Sequence, residues 1–286
     1  MRLAKLGILG VVLWASTGAA AGLRGHLDTE DLPSYLRDRG EGIPLSSFGT
    51  YVQKGQLIVY PFFEYYRNND AEYQPDELGF TQDTELRGKY TATEELLFIA
   101  YGVSDRLAFE LEAAIIQAKI EKSPNDPTNP PSTFEEDGLG DVEGQLRWRW
   151  ARESATRPEF FSYFETVAPT PGDNVFIGTS DWEFKLGSGL IRGFSWGTVT
   201  ARGAVEYGLS EDKFELGELS LEYLRRLSNK VRIFTGFEGT QDEIELLTEL
   251  QLHPARNVIV KLNNGFGLTS KATDWAPEVG VMFSLP

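Results

Sequence analysis

The chain has 286 residues, no cysteine and two histidines, with 43 acidic against 27 basic side chains and a formal net charge of -16. Without cysteine, disulfides, thiolate metal sites and cysteine nucleophiles are excluded, and two histidines are too few for a multi-histidine metal centre. The acidic balance argues against nucleic acid as a partner, because nucleic acid requires a basic surface that replaces counterions. No cofactor is implied.

The first residues predict an export signal. Arg2 and Lys5 precede a short apolar run over 6–14, and small residues then lead to the A-x-A cleavage pattern of 19–21. The apolar run is too short for a membrane anchor, which needs about 20 apolar residues. We therefore predict a signal peptide over 1–21 and export to the periplasm.

Residues 22–55 form a separate N-terminal region. Acidic residues at 28–31 precede 32–36, which predicts a short helix, and the glycines and proline between 40 and 49 interrupt any regular pattern. Two interpretations stay open. The region is either an arm that lies in the periplasm or a plug that folds into the domain that follows.

From residue 56 onwards, apolar and polar side chains alternate with a period of two, which is the signal of a β-strand. Leu146, Trp148 and Trp150 share one face of such a segment, whereas Arg147 and Arg149 share the other. Twelve segments are predicted: 56–67, 85–102, 106–120, 140–152, 158–168, 180–192, 195–208, 214–227, 231–240, 243–253, 258–268 and 275–285.

Two of these segments are less regular. The alternation in 85–102 is blurred at Glu94 and Glu95, where we expect a β-bulge. The segment 158–168 carries aromatic residues on both faces. The sequence therefore does not say which face of these two strands is polar.

The connections between the segments alternate in length. The even connections are short turns, and the first three odd ones, 68–84, 121–139 and 169–179, are the longest in the chain. Short periplasmic turns opposite longer external loops are typical of outer-membrane barrels. We predict an all-β chain in which 56–286 form an antiparallel up-and-down transmembrane β-barrel of about twelve strands, preceded by a short helical or irregular N-terminal segment.

Alternation does not say which face lies inside the barrel. Export, aromatic residues near the strand ends and the large charged surface favour apolar residues outside and polar residues inside. This places the protein in a Gram-negative-type outer membrane, with outer-membrane lipid and the barrel-assembly machinery as partners. The alternative is a soluble periplasmic lipid-binding barrel, which would have apolar residues inside and polar residues outside.

The membrane arrangement puts a set of charged side chains in the lumen, nine acidic and seven basic. The near balance favours cross-strand pairing, and twelve strands fall between a filled eight-stranded barrel and an open one of 16–18 strands. A narrow solute path and a closed, salt-bridged lumen therefore both stay open. The candidate lumen-lining residues are Glu143, Arg147, Arg149, Glu183, Lys185, Arg202, Glu206, Glu218, Glu222, Arg226, Arg232, Glu238, Glu245, Glu249, Lys261 and Glu278.

Two turns resemble those of a known family. The segment 137–142, D-G-L-G-D-V, leads into an alternating strand with basic residues, and 101–107 reads Y-G-V-S-D-R-L. Both resemble turns of the outer-membrane barrels of the phenol-degradation meta-pathway transporter family. The resemblance implies transport of hydrophobic or aromatic small molecules across the outer membrane. We expect Asp105 and Asp141 to accept hydrogen bonds from nearby backbone amides.

The resemblance implies passive uptake or binding of a small, hydrophobic or aromatic solute. The alternatives are a structural or adhesive barrel with a closed lumen, and the soluble lipid-binding barrel. No catalytic residue is predicted, since hydrolysis would need a serine–histidine pair near the membrane surface, and His26 lies in the N-terminal region while His253 lies at a predicted periplasmic turn. No metal site is predicted either, because the acidic external loops lack the spacing of a calcium loop.

Overall fold

The computed structural model describes residues 31–76, 78–81, 84–170, 177–179, 182–209, 213–240 and 243–286. The predicted signal peptide and His26 lie outside these residues. Among the residues described, no helix is long and apolar enough to cross a membrane.

Twelve long strands form one closed barrel, in which every strand pairs antiparallel with its neighbours in sequence and the last strand pairs with the first. The predicted all-β, up-and-down architecture is confirmed. The strands are β3 (Leu57–Tyr73), β4 (Leu86–Gly102), β5 (Leu107–Glu121), β6 (Thr133–Ala151), β7 (Glu159–Ala168), β8 (Glu183–Phe194), β9 (Gly197–Gly208), β10 (Lys213–Ser228), β11 (Val231–Thr240), β12 (Glu243–Ala255), β13 (Val258–Gly267) and β14 (Ala276–Leu285).

Three short elements precede the barrel. A single 3-10 turn spans Ser34–Leu36, where the sequence predicts a short helix. The strands β1 (Ile43–Pro44) and β2 (Tyr51–Val52) then pair as a small antiparallel hairpin. We call residues 34–55 the N-terminal segment.

Two strand boundaries differ from the prediction. Strand β3 continues to Tyr73 and strand β6 begins at Thr133, so two of the external loops are shorter than expected. Polar residues occupy both faces of these extensions, as in Asn68-Asn69-Asp70 and Glu135-Glu136-Asp137. Both faces of a strand that projects beyond the bilayer contact water, so its sequence loses the alternation by which strands are recognised.

The prediction of a β-bulge at Glu94 and Glu95 is wrong. Both residues pair in unbroken register with β3 on one side and with β5 on the other. The register shift of the β3–β4 pair lies instead between Asn68 and Ala71. Glu94 faces the interior and Glu95 is exposed on the outer face, so the two adjacent carboxylates are separated by the barrel wall.

The apolar face of the barrel points outward. In β6, Leu146 and Trp150 are 48% and 56% exposed, whereas Arg147 and Arg149 between them are 1% and 5% exposed. The same inversion recurs in β8, where Leu186 is 58% exposed. A soluble barrel would bury these side chains, whereas a membrane barrel presents them to lipid. The fold is thus that of a transmembrane barrel.

Aromatic side chains gather near both ends of the outer face. We call the end with the short turns, such as 195–196 and 229–230, the turn end, and the opposite end the loop end. At the turn end, Trp196 stacks on Tyr223 with ring centroids 5.9 Å apart. At the loop end, Tyr207 packs on Phe214 at 4.9 Å, and Trp275 contacts Tyr65 at 6.0 Å. Two such belts mark the two interfaces of a bilayer.

Candidate solute path

The lumen holds a cavity of about 500 Å³, which we call the chamber. Its lining is strongly acidic, with eleven carboxylate residues against three basic ones. The acidic residues are Glu64, Glu94, Glu110, Glu112, Asp141, Glu143, Glu165, Glu218, Glu238, Glu245 and Glu278, and the basic ones are Lys185, Arg202 and Lys261.

Half of the candidate lumen residues line this chamber. They are Glu143, Lys185, Arg202, Glu218, Glu238, Glu245, Lys261 and Glu278. Others lie on the inward side but outside the chamber. Glu222 is ion-paired with Arg202, and Glu249 is ion-paired with Lys261. Glu183 is hydrogen-bonded to Glu206 near the loop end.

The remaining basic candidates lie near the turn end rather than in the chamber. Arg147 is buried and ion-paired with Glu110 at 2.6 Å, and Arg149 is ion-paired with Glu159 at 3.2 Å. Arg232 is buried as well, and Arg226 lies at the rim. The arginines of the interior are therefore concentrated toward the turn end, where Arg147 and Arg149 are paired with carboxylates, whereas the chamber has an excess of carboxylates.

Sequence reasoning missed six of the eleven chamber carboxylates, so the expected charge balance does not hold for the chamber. Glu94 and Glu165 come from the two less regular strands, and Glu64, Glu110 and Glu112 come from strands for which no lumen-lining residue was predicted. Asp141 was expected only as a turn residue. The run 109–112 alternates cleanly between apolar and acidic residues and would have identified two of them. The segments around Glu94 and Glu165 gave no such signal, because charged or aromatic residues occupy both faces.

Arg202 is the most highly connected basic residue of the chamber. Its guanidinium is ion-paired with Glu218, Glu222 and Glu238 at 2.8, 2.8 and 2.9 Å, and it lies over the ring of Phe48. The three glutamates come from β10 and β11, so the cluster joins three neighbouring strands. One guanidinium carries one positive charge, and three carboxylates around it leave the group acidic.

The opposite wall carries carboxylates with no basic partner. The pairing register sets Glu278, Glu64 and Glu94 side by side across β14, β3 and β4. It also sets Glu112 opposite Glu143 across β5 and β6. No lysine or arginine of the described residues is ion-paired with any of these five. Glu278 instead accepts hydrogen bonds from the hydroxyl of Tyr60 and the amide of Asn263.

The N-terminal segment lies inside the barrel at the turn end and forms the floor of the chamber. Its apolar residues Ile43, Leu45 and Val52 pack against inward-facing residues of the wall, including Tyr60 and Phe98. Phe48 packs against a second cluster on the opposite side of the barrel. Ser46, Ser47 and Phe48 line the chamber itself.

Polar bonds hold the floor to the wall. Ser46 donates its backbone N–H to Glu110 at 2.8 Å. The ammonium of Lys261 donates to the carbonyl oxygen of Phe48 at 3.0 Å, and the amide of Gln251 donates to the same oxygen at 3.2 Å. Gly49 has φ +60°, a left-handed conformation that favours glycine, and it lies against the side chain of Gln251.

Arg39 anchors the segment nearer the turn end. It is 1% exposed, and its Nη2 donates to Glu153 at 3.1 Å and to Glu159 at 3.0 Å. Burial alone would lower the pKa of Arg39, but Glu159, Tyr51 and Glu153 raise the pKa above its ordinary value, so the guanidinium stays charged. Next to it, Asp38 accepts the backbone N–H of Arg226 at 2.8 Å.

Two described parts of the connection after β7, residues 169–170 and 177–179, contact the barrel wall near the loop end, and Gly178 lines the chamber. As expected, Asp141 accepts backbone N–H bonds, from Thr170 at 3.0 Å and from Thr179. Ile177 is buried against Ala92 and Ala118 of the wall. The other predicted turn aspartate behaves differently. Asp105 forms an exposed ion pair with Arg152, and Ser104 accepts the amide bonds of that turn.

The loop between β5 and β6 contains a compact polar cluster. Asp126 accepts bonds from the hydroxyl of Tyr73 at 2.9 Å and the backbone of Thr128 at 2.7 Å, and it is ion-paired with Lys122 at 3.2 Å. Burial raises the pKa of Asp126, but the bonds from Thr128, Tyr73 and Lys122 outweigh it and hold the pKa below 3.8. The cluster orders the loop beside the mouth of the barrel.

No protein-family model and no curated protein sequence matches the chain. Solved structures do match. The COG4313 outer-membrane channel from Pseudomonas putida F1 superposes with a TM-score of 0.63 at 12% identity, over 85% of this chain and 100% of that one. The translocator domain of the autotransporter NalP from Neisseria meningitidis superposes with a TM-score of 0.52 at 11% identity, over 81% and 89%.

At these identities the likeness shows a shared fold. It confirms the fold that the family resemblance implied, a closed antiparallel β-barrel of the outer-membrane type. Together with the apolar outer face and the two aromatic belts, it identifies the class of protein as an outer-membrane β-barrel.

Proposed function

We propose that the chain is a passive outer-membrane channel for a small solute, with the N-terminal segment acting as a plug at its periplasmic end. The proposal rests on the polar chamber inside a barrel whose outer face is apolar. Export, periplasmic turns and insertion by the barrel-assembly machinery belong to the same proposal. The barrel is not an enzyme in this proposal. The chamber serves to accept a solute rather than to transform it.

The chamber has the size and the lining of a solute site. Ligand pockets typically measure about 300–1,000 Å³, and the chamber measures about 500 Å³. The rings of Tyr60, Phe62 and Phe98 line it beside the carboxylates. These rings support the aromatic or apolar body that the family resemblance implies, whereas the carboxylates disfavour an anion.

The plug argues for a second candidate function, a structural barrel with a closed lumen. Ile43, Leu45 and Val52 fill the turn end by packing against the wall, as in the core of a soluble domain. If this packing never opens, nothing passes below the chamber. The two candidates differ in whether removal of the plug opens a path.

Conductance of the refolded chain in a planar bilayer tests the proposal. We would compare the chain that begins at Gly22 with a variant that lacks residues 31–55. We expect little or no current from the first and steady current from the second. If neither variant conducts although both insert, the closed structural barrel is the correct function.

A further inference from the structure

We infer that the chamber binds a small organic cation, an amine or guanidinium group carried on an apolar or aromatic body. The inference rests on the proposed function, since it names the solute class of the same chamber. It follows from three features of the lining, namely carboxylates without basic partners, rings beside them, and basic groups that are already engaged.

The first feature is the row of like charges. Glu278, Glu64 and Glu94 occupy directly opposed positions on neighbouring strands, where Cβ atoms lie about 4.5–5.5 Å apart and like charges destabilise a sheet. Glu112 and Glu143 form a second such pair. The repulsion between these carboxylates destabilises the barrel, and a positively charged ligand bound beside them would relieve it.

The second feature is that the chamber has no spare positive charge. Lys185 is ion-paired with Glu165 at 2.8 Å, and Lys261 is ion-paired with Glu249 at 3.1 Å. Arg202 is already ion-paired with three glutamates. None of these basic groups reaches the row of like charges. A cation from outside the chain would supply the positive charge that the row lacks.

The third feature separates an organic cation from a metal ion. Across the described residues, no group of three or more acidic or histidine side chains is arranged to hold a metal. Aromatic rings lie next to the carboxylates instead. Tyr60 stacks on Phe62 with centroids 4.6 Å apart, and the hydroxyl of Tyr60 donates to Glu278. Ring faces attract organic cations and also contact their apolar parts.

A buried hydroxyl supplies a further polar contact. Tyr163 lines the chamber, is 2% exposed, and its hydroxyl has no hydrogen-bond partner among the described residues. Buried polar groups are normally hydrogen-bonded. The N–H of an amine or guanidinium would provide the missing donor, and the hydroxyl would help to orient it.

Isothermal titration calorimetry of the detergent-solubilised protein at pH 8 tests the inference with three ligands of one shape. Benzylamine is a cation, benzyl alcohol is its neutral analogue, and benzoate is an anion. We expect benzylamine to bind at least tenfold more tightly than benzyl alcohol, and benzoate not to bind. Equal affinity for the amine and the alcohol would overturn the inference without any need for a variant.

Paired variants locate the site. The double substitution Glu64→Gln and Glu94→Gln keeps side-chain shape and removes two charges, and we expect it to weaken benzylamine binding at least tenfold. Glu135→Gln removes a charge from an exposed position outside the chamber and should leave the affinity unchanged. Equal affinity in all three proteins would show that the amine binds elsewhere.

Magnesium chloride is the competitor in the same titration. Displacement of benzylamine by micromolar Mg²⁺ would replace the organic cation with a metal site. Calorimetry needs no transport, so its outcome is separate from that of the conductance experiment. A barrel that conducts without preference for the amine refutes only the inference. A barrel that binds the amine but never conducts refutes only the channel.

Discussion

Replacement of Arg39 should release the plug. The side chain is buried and bonded to two carboxylates, Glu153 and Glu159, whose side chains are 0% and 2% exposed. Removal of one partner from a buried ion pair costs about 3–5 kcal/mol, because the other charge stays buried without compensation. In Arg39→Ala both carboxylates lose this partner while the plug is seated, and both regain water when it leaves.

The remaining bonds place the cost at the lower end of that range. Glu153 keeps the backbone N–H of Gly193 at 2.8 Å and Arg192 at 3.4 Å, and Glu159 keeps Arg149 at 3.2 Å. A cost of about 3 kcal/mol corresponds to roughly a hundredfold change in an equilibrium constant. The fraction of molecules with the plug displaced should rise by that factor.

Thiol labelling measures this fraction directly. The chain has no cysteine, so Thr50→Cys introduces a single thiol at a position that is 2% exposed while the plug is seated. Labelling by a maleimide should accelerate roughly a hundredfold when Arg39→Ala is added, because labelling follows local opening. Lys54→Ala removes an exposed positive charge from the same segment and is the matched control. A change below about threefold in Arg39→Ala, or an equal change in the control, would refute the reasoning.

Three further predictions concern the wall and the loops. Leu221 lies on the lipid-facing side, and Leu221→Arg should weaken folding into vesicles by about 2 kcal/mol. Glu222 faces inward, and Glu222→Gln should fold as the parent does. Equal folding of the two variants would show that the inside–outside assignment is wrong. Asp141→Ala leaves backbone N–H groups unpaired and should destabilise the loop after β7 by about 1–3 kcal/mol, seen as faster proteolysis there, with Asp137→Ala as the control. Because the pKa of Asp126 is lowered, its stabilisation of the loop is complete above pH 3.8 and is lost as the pH falls through the lower, folded pKa. Hydrogen exchange of residues 122–132 should show that loss in the parent and not in Asp126→Asn.

The barrel was predictable from the sequence because each strand separates two environments. Leu146 and Trp148 face lipid while Arg147 faces the lumen, and this contrast produces the alternation of apolar and polar residues in the sequence. The prediction failed where the contrast disappears. The extensions of β3 and β6 face water on both sides, and Glu94-Glu95 places equal charges on both sides of the wall.

The position of the N-terminal segment was not predictable, and its role as a plug stays a proposal. The partners of Arg39 are 114 and 120 residues away in the chain. No local pattern in 34–55 encodes them. The acidic character of the chamber was hidden for a related reason. It depends on which carboxylates meet across strands such as β14, β3 and β4, and that is a property of register rather than of composition.

The separation of charge along the barrel axis has an electrical consequence. Arg147, Arg149 and Arg232 lie toward the turn end, whereas the chamber above them is acidic. A narrow passage with an excess of fixed negative charge at one end and paired charges at the other focuses mobile ions unequally from the two sides. Once opened, the lumen should behave as a rectifier, passing more current at one polarity of the applied voltage than at the other.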